Sequence, residues 1–76
     1  MIQKQVGKRI KELRKKLGYS QEEFADIADV HRTYIASLEV GKRNVSITVL
    51  HKIVLALNVS MKEFFDFEEV GENTNE

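Results

Sequence analysis

The sequence predicts an all-α fold: five short helices in one compact unit, with a tight helix–turn–helix pair at its centre. Three observations carry this. Apolar residues recur three and four apart in successive segments of the 76-residue chain. There is no proline and no run of alternating β-branched residues. The Ser-x-x-Glu spacing of a capping box occurs twice, at Ser20–Glu23 and Ser60–Glu63. A chain of this length makes one domain with a core near the lower limit for folding alone. That domain is placed at residues 1–67, followed by a frayed acidic tail over residues 68–76.

Helix one is expected over residues 3–17, where Val6, Ile10, Leu13 and Leu17 form one apolar stripe and Gly18 supplies a left-handed terminus. Helix two follows over residues 21–28, opened by Ser20 and Glu23 and burying Phe24, Ile27 and Ala28. Asp29 takes the turn, since Asp tolerates left-handed geometry better than most residues. Helix three covers residues 32–40, with Tyr34, Ile35 and Leu38 inward and Gly41 ending it. Helix four starts near Ser46, carries Ile47, Leu50, Ile53, Val54 and Leu57 on one side, and ends at Asn58. Ser60 opens a fifth helix from Met61 to about Phe67.

Two helices joined by three or four residues, with a small Ala25 near their crossing, make the arrangement that inserts its second helix into a DNA major groove. Net charge is zero, but residues 1–43 hold ten Lys/Arg against six Asp/Glu, and residues 44–76 hold two against six. A basic first half suits an anionic partner. Lys4, Lys8, Arg9, Lys11, Arg14, Lys15 and Lys16 either solvate a surface helix or meet phosphates, and the neighbouring motif favours phosphates.

A recognition helix reads bases mainly with its leading turn. Arg32 can donate twice to a guanine, Thr33 can offer methyl or hydroxyl, and Ser37 lies one turn on along the same side. Gln21, at the start of helix two, sits where amides and the helix dipole favour a phosphate. His31 serves as helix N-cap or as a DNA contact, and Tyr34 packs with its hydroxyl towards a phosphate. Lys42, Arg43 and Asn44 form a basic loop for backbone contact, with Arg43 reaching towards the minor-groove edge.

Pairing two modules doubles the contacts on DNA. Leu55 points away from the helix-four stripe, and Phe64, Phe65 and Phe67 crowd one short segment. An isologous homodimer interface through Leu55, Met61, Phe64 and Phe67 is therefore expected.

Other classes find little support. No cysteine is present, and His31 and His51 lie on different helices without a third ligand, so no metal, cofactor or small-molecule ligand is expected. Glu22 and Glu23 read as first-turn residues favoured by the helix dipole, and no glycine-rich phosphate loop occurs, so catalysis is not expected. The longest apolar run, Ile53 to Leu57, is far too short for a membrane span, and the N-terminus lacks a signal-peptide core. The expected location is the cytoplasm.

Residues 7–65 resemble the Cro/repressor-type helix-turn-helix regulators, through GKRIKELRKKLGYSQEEFA, YIASLEVGKR and SITVLHKIVLALNVS. More narrowly, HRTYIASLEVGKRNVSI is similar to the controller proteins of restriction–modification systems. That resemblance implies a dimer on a palindromic operator, acting on its own promoter and that of the endonuclease. It maps Arg32, Thr33 and Ser37 to base-facing positions, and Gln21, Tyr34, Arg43 and Asn44 to backbone or groove contacts. It also implies a buried or half-buried pair, Arg14 and Glu39, tying helix one to helix three. The alternatives are an antitoxin or phage-type repressor of the same fold, or an adaptor with weak DNA affinity. The acidic second half of such an adaptor would meet a toxin, sigma factor or polymerase subunit.

Overall fold

The computed structural model describes residues 2–67 and contains five helices among them: α1 (Ile2–Lys16), α2 (Gln21–Ala28), α3 (Arg32–Glu39), α4 (Ile47–Ala56) and α5 (Met61–Phe64). The acidic tail expected over residues 68–76 lies outside the described residues. Ser20 forms a complete capping box: its hydroxyl accepts from the Glu23 amide at 3.0 Å, and the Glu23 carboxylate accepts from the Ser20 amide at 2.8 Å. Ser46 and Ser60 cap α4 and α5 through the amides of Val49 and Glu63. Each such cap is worth about 1 kcal/mol against alanine.

α1 to α4 all end in the same way. A residue with positive φ (Gly18, Asp29, Gly41, Asn58) turns the chain, and two reversed hydrogen bonds close each end as a Schellman motif. The expected left-handed Asp29 is present at φ 60, ψ 50. Its backbone carbonyl accepts from Lys52 Nζ at 3.1 Å, so α4 braces the turn between α2 and α3.

Ile10, Phe24, Ile35, Ile53 and Phe64 are wholly buried and come from all five helices. α1 lies against α3 at very short range because Gly7 faces the α3 backbone. A Cβ there would overlap the Leu38 carbonyl oxygen and come within 3.0 Å of the Glu39 carbonyl group.

Several assignments from periodicity need correcting. Leu17 is exposed because α1 ends at Lys16 and the chain has begun its turn. Ile27 is exposed because α2 packs through Phe24, Ala25 and Ala28. Ile47 is 80% exposed, since the first turn of α4 has rotated off the core stripe, in line with His51 and Leu55. α5 stops at Phe64 rather than near Phe67. Arg9 takes over the carbonyls of Glu63 (Nη2, 2.7 Å) and Phe64 (Nε, 2.8 Å), which a longer helix would need for its own amides.

Candidate nucleic-acid interface

The turn closed by Asp29 places His31 at the N-cap of α3 with extended backbone (φ −72, ψ 143). Its side chain makes no capping bond, so His31 caps by position alone and its ring is left on the surface. Arg32 and Thr33 follow in the first turn, both exposed, while Ile35 and Leu38 point into the core. The apolar spacing of α3 therefore drives the leading turn outward.

Behind it lies a buried ion pair. Arg14 donates from Nε to Glu39 Oε2 at 2.7 Å and from Nη2 to Oε1 at 3.0 Å, with the two side chains 7% and 2% exposed. The hydrogen bond to Glu39 outweighs burial and raises the Arg14 pKa above its ordinary value, and the charge attraction adds to it. Arg14 Nη1 also donates to the Tyr19 carbonyl at 2.7 Å. This pair anchors the C-terminal end of α3 on α1.

Glu39 also accepts from Gln21 Nε2 at 3.0 Å. Gln21, the first residue of α2, is thus held by the same carboxylate that fixes α3. One amide N–H remains for a phosphate at the α2 N-terminus.

After α3, the Gly41 amide donates to the Leu38 carbonyl and the Lys42 amide to the Ser37 carbonyl, both at 3.0 Å. Gly41 has φ 77, and a Cβ there would lie 2.9 Å from Lys4 Cα, so both conformation and space call for glycine. The loop folds back on α3: Arg43 lies over the Tyr34 ring, 5.0 Å from its centroid, with Nε donating to Ser37 Oγ at 3.2 Å. Ser37 in turn donates to the Tyr34 carbonyl at 3.0 Å. Lys42 is exposed, and Asn44 accepts from Gln3 Nε2 at 2.7 Å.

Gln21, Arg32, Thr33, Tyr34, Ser37 and the 42–44 loop are thus placed at the leading edges of α2 and α3 or beside α3, every one of them exposed or half-buried. Arg9, expected on the solvent or phosphate surface, is turned inward instead and clamps α5, whereas Arg14 forms with Glu39 the buried pair that the family resemblance implies. The Arg9 clamp has no sequence signal of its own, because its partners lie 54 and 55 residues away.

The expected dimer residues divide. Leu55 and Met61 are exposed and Phe67 is half-buried, but Phe64 is fully buried and cannot form an outer contact surface. Phe65 is 42% exposed, its ring edge-on to Phe64 at 5.0 Å and 6.1 Å from Phe67. Among the described residues no group of three His, Asp or Glu side chains is placed to hold a metal, and no helix is long and apolar enough to cross a membrane.

A family model described as helix-turn-helix matches residues 10–64. The control protein C.BamHI of Bacillus amyloliquefaciens is 42% identical over 66 residues, covering 86% of this chain and 82% of that protein. The control protein C.MunI of a Mycoplasma species is 46% identical over 65 residues, covering 84% and 88%. Among solved structures, the restriction–modification controller protein C.Esp1396I, as a tetramer with its natural 35 base-pair operator, superposes with a TM-score of 0.81 at 35% identity, covering 86% of each chain.

Proposed function

This chain belongs to the helix-turn-helix family, and from that footing we propose that it is a sequence-specific transcription regulator, the controller protein of a restriction–modification system. One observation carries the reading. The leading turn of α3 presents Arg32 and Thr33 to solvent, between a held Gln21 on one side and the Lys42–Arg43 loop on the other. Base-reading groups framed by phosphate-seeking groups are what an operator requires. The similarity to C.BamHI and C.MunI supports the narrower assignment, and the operator complex of C.Esp1396I supports a DNA partner. The family is one of DNA-binding proteins and not of enzymes.

In this reading Arg32 and Thr33 contact base edges. Gln21, His31, Tyr34, Lys42 and Asn44 meet the backbone or groove. Two copies pair through Leu55, Met61 and Phe67, with Phe65 taking the place first given to Phe64. The dimer then engages a palindrome upstream of its own gene.

Titrating the protein against a duplex of that upstream region tests the proposal. Binding should be saturable and specific, and log K should fall with log[salt] at about 0.9 per phosphate contact. Affinity no greater than for a scrambled duplex would overturn it.

A further inference from the structure

We propose that Lys52 of α4 is a positioning residue that fixes the leading end of α3 relative to the subunit contact, so that the spacing between operator half-sites is read through it. This rests on the reading above of a dimer on an operator.

α3 is attached differently at its two ends. At the C-terminal end Arg14 grips Glu39 at 2.7 and 3.0 Å. At the leading end the chain enters from the turn at Asp29. The reversed hydrogen bonds there, from the Asp29 amide to the Asp26 carbonyl and from the Val30 amide to the Ala25 carbonyl, tie the turn to α2. His31, next along, makes no capping bond. Lys52 supplies a hold from a third helix. Its Nζ donates to the Asp29 carbonyl at 3.1 Å and stands 3.8 Å from Asp29 Oδ2, so one ammonium draws both the carbonyl and the carboxylate of the turn onto α4. The residue at the turn suits this use. Glycine is the least strained choice at φ 60, and aspartate in its place brings the carboxylate that meets Lys52.

The same helix carries the subunit contact. Leu50, Ile53 and Val54 anchor α4 in the core, and the exposed Leu55 lies three residues from Lys52, less than one turn. The path from the second copy to the recognition helix therefore runs from Leu55 through Lys52 to Asp29, along one rigid element.

Small displacements at this end are large on the scale of DNA. α3 has eight residues and is about 12 Å long. A tilt of about 10° at its Glu39 end moves the leading turn by about 2 Å. Opposed in two subunits, this changes the separation of the reading heads by about 4 Å, more than one base-pair step of about 3.4 Å. Both partners of the Lys52 contact are accessible to solvent, so its effect falls on geometry more than on fold stability.

The test uses the full-length protein and an operator duplex found by selection from random sequence. Two sets are derived from that duplex: one with half-sites moved apart or together by one and two base pairs, the other with single base-pair changes inside each half-site. Wild type, Lys52→Met and Lys52→Arg are titrated against both sets over a range of salt, with circular dichroism for the fold and sedimentation for the dimer. Methionine keeps the stem but not the donor. Lys52→Met should lose preference for the selected spacing by roughly 2- to 30-fold over the two subunits, with base discrimination, salt slope and self-association unchanged. Lys52→Arg should restore the preference. Asp29→Gly keeps the turn and removes only the carboxylate, so it should shift the preference the same way by less; it also serves should Lys52→Met fail to fold. Three results would overturn the inference: an unchanged spacing preference in both Lys52→Met and Asp29→Gly, a uniform loss on every duplex with a lower salt slope, which would make Lys52 a phosphate contact, or a weakened dimer, which would place it in the interface. A wild-type protein indifferent to half-site spacing would overturn the dimer-on-operator reading itself, and is seen before any variant is made.

Discussion

Glu39→Ala removes the carboxylate that holds three elements together. The guanidinium of Arg14, 7% exposed, would lose partners at 2.7 and 3.0 Å and keep only the Tyr19 carbonyl. Two charged hydrogen bonds at about 1.5–3 kcal/mol each suggest a loss of roughly 3–6 kcal/mol. Stranding a buried charge leads independently to about 3–5 kcal/mol. A domain spanning residues 2–67 has on the order of 3–10 kcal/mol in all, at about 0.05–0.15 kcal/mol per residue. The single variant should therefore sit at the edge of folding, with Tm lowered by more than ~12 °C at roughly 4 °C or more per kcal/mol. Arg14→Met with Glu39→Leu leaves no buried charge and should recover most of that loss. It should still bind operator poorly, because Gln21 loses its anchor. Thermal and urea unfolding followed by circular dichroism decide the matter. A cost below about 1 kcal/mol for Glu39→Ala, or a double variant as unstable as the single, would show that the pair does not hold α3 in place. The sign of the pH dependence is also fixed. Because the Arg14 pKa is raised in the folded state, its contribution is fully present below the ordinary guanidinium range and is lost only as pH rises through the higher folded value. The arginine side of the pair therefore adds no pH dependence near neutrality.

Gly7→Ala should destabilise the protein by about 1–3 kcal/mol or more, because its Cβ overlaps backbone atoms that a rotamer change cannot move. Urea unfolding measures it, and a neutral result would show that α1 can shift away from α3. Leu55→Glu should weaken self-association at least tenfold by sedimentation while leaving the thermal transition of the monomer nearly unchanged, since Leu55 is 62% exposed. An unaltered dimer would place the interface elsewhere. Arg9→Ala should release the α5 carbonyls and speed amide exchange in α5 before that in α4; uniform protection would discount the clamp.

Local chemistry made the helices legible, and direction decided what was not. Ser20 with Glu23 marked the start of α2 and Asp29 its end, because both signals act within one turn of chain. Spacing also put Ile35 and Leu38 inside, which left Arg32 and Thr33 outward. Spacing could not say where a stripe runs out, so Leu17, Ile27 and Ile47 were assigned to a core whose edge stops short of them. Adjacent aromatics pose a similar ambiguity. Phe64 and Phe65 differ by one helical step, and local spacing does not say which ring enters the core; in the fold it is Phe64, while Phe65 stays 42% exposed. Arg43 was legible as a basic loop residue, but its return onto Ser37 and Tyr34 depends on the Gly41 turn. The narrow gap at Gly7 has no local signature at all, since it is set by Leu38 and Glu39 of α3, 31 and 32 residues away.

The outward turn of α3 can be tested with two alanines. Arg32→Ala and Lys42→Ala are each titrated against the operator and against single base-pair variants of it, over a range of salt. Arg32→Ala should lower discrimination at one symmetric position by about 1–3 kcal/mol, whereas Lys42→Ala should weaken all duplexes alike and reduce the salt slope by about one per subunit. Equal losses on every duplex from both variants would contradict a reading head at Arg32.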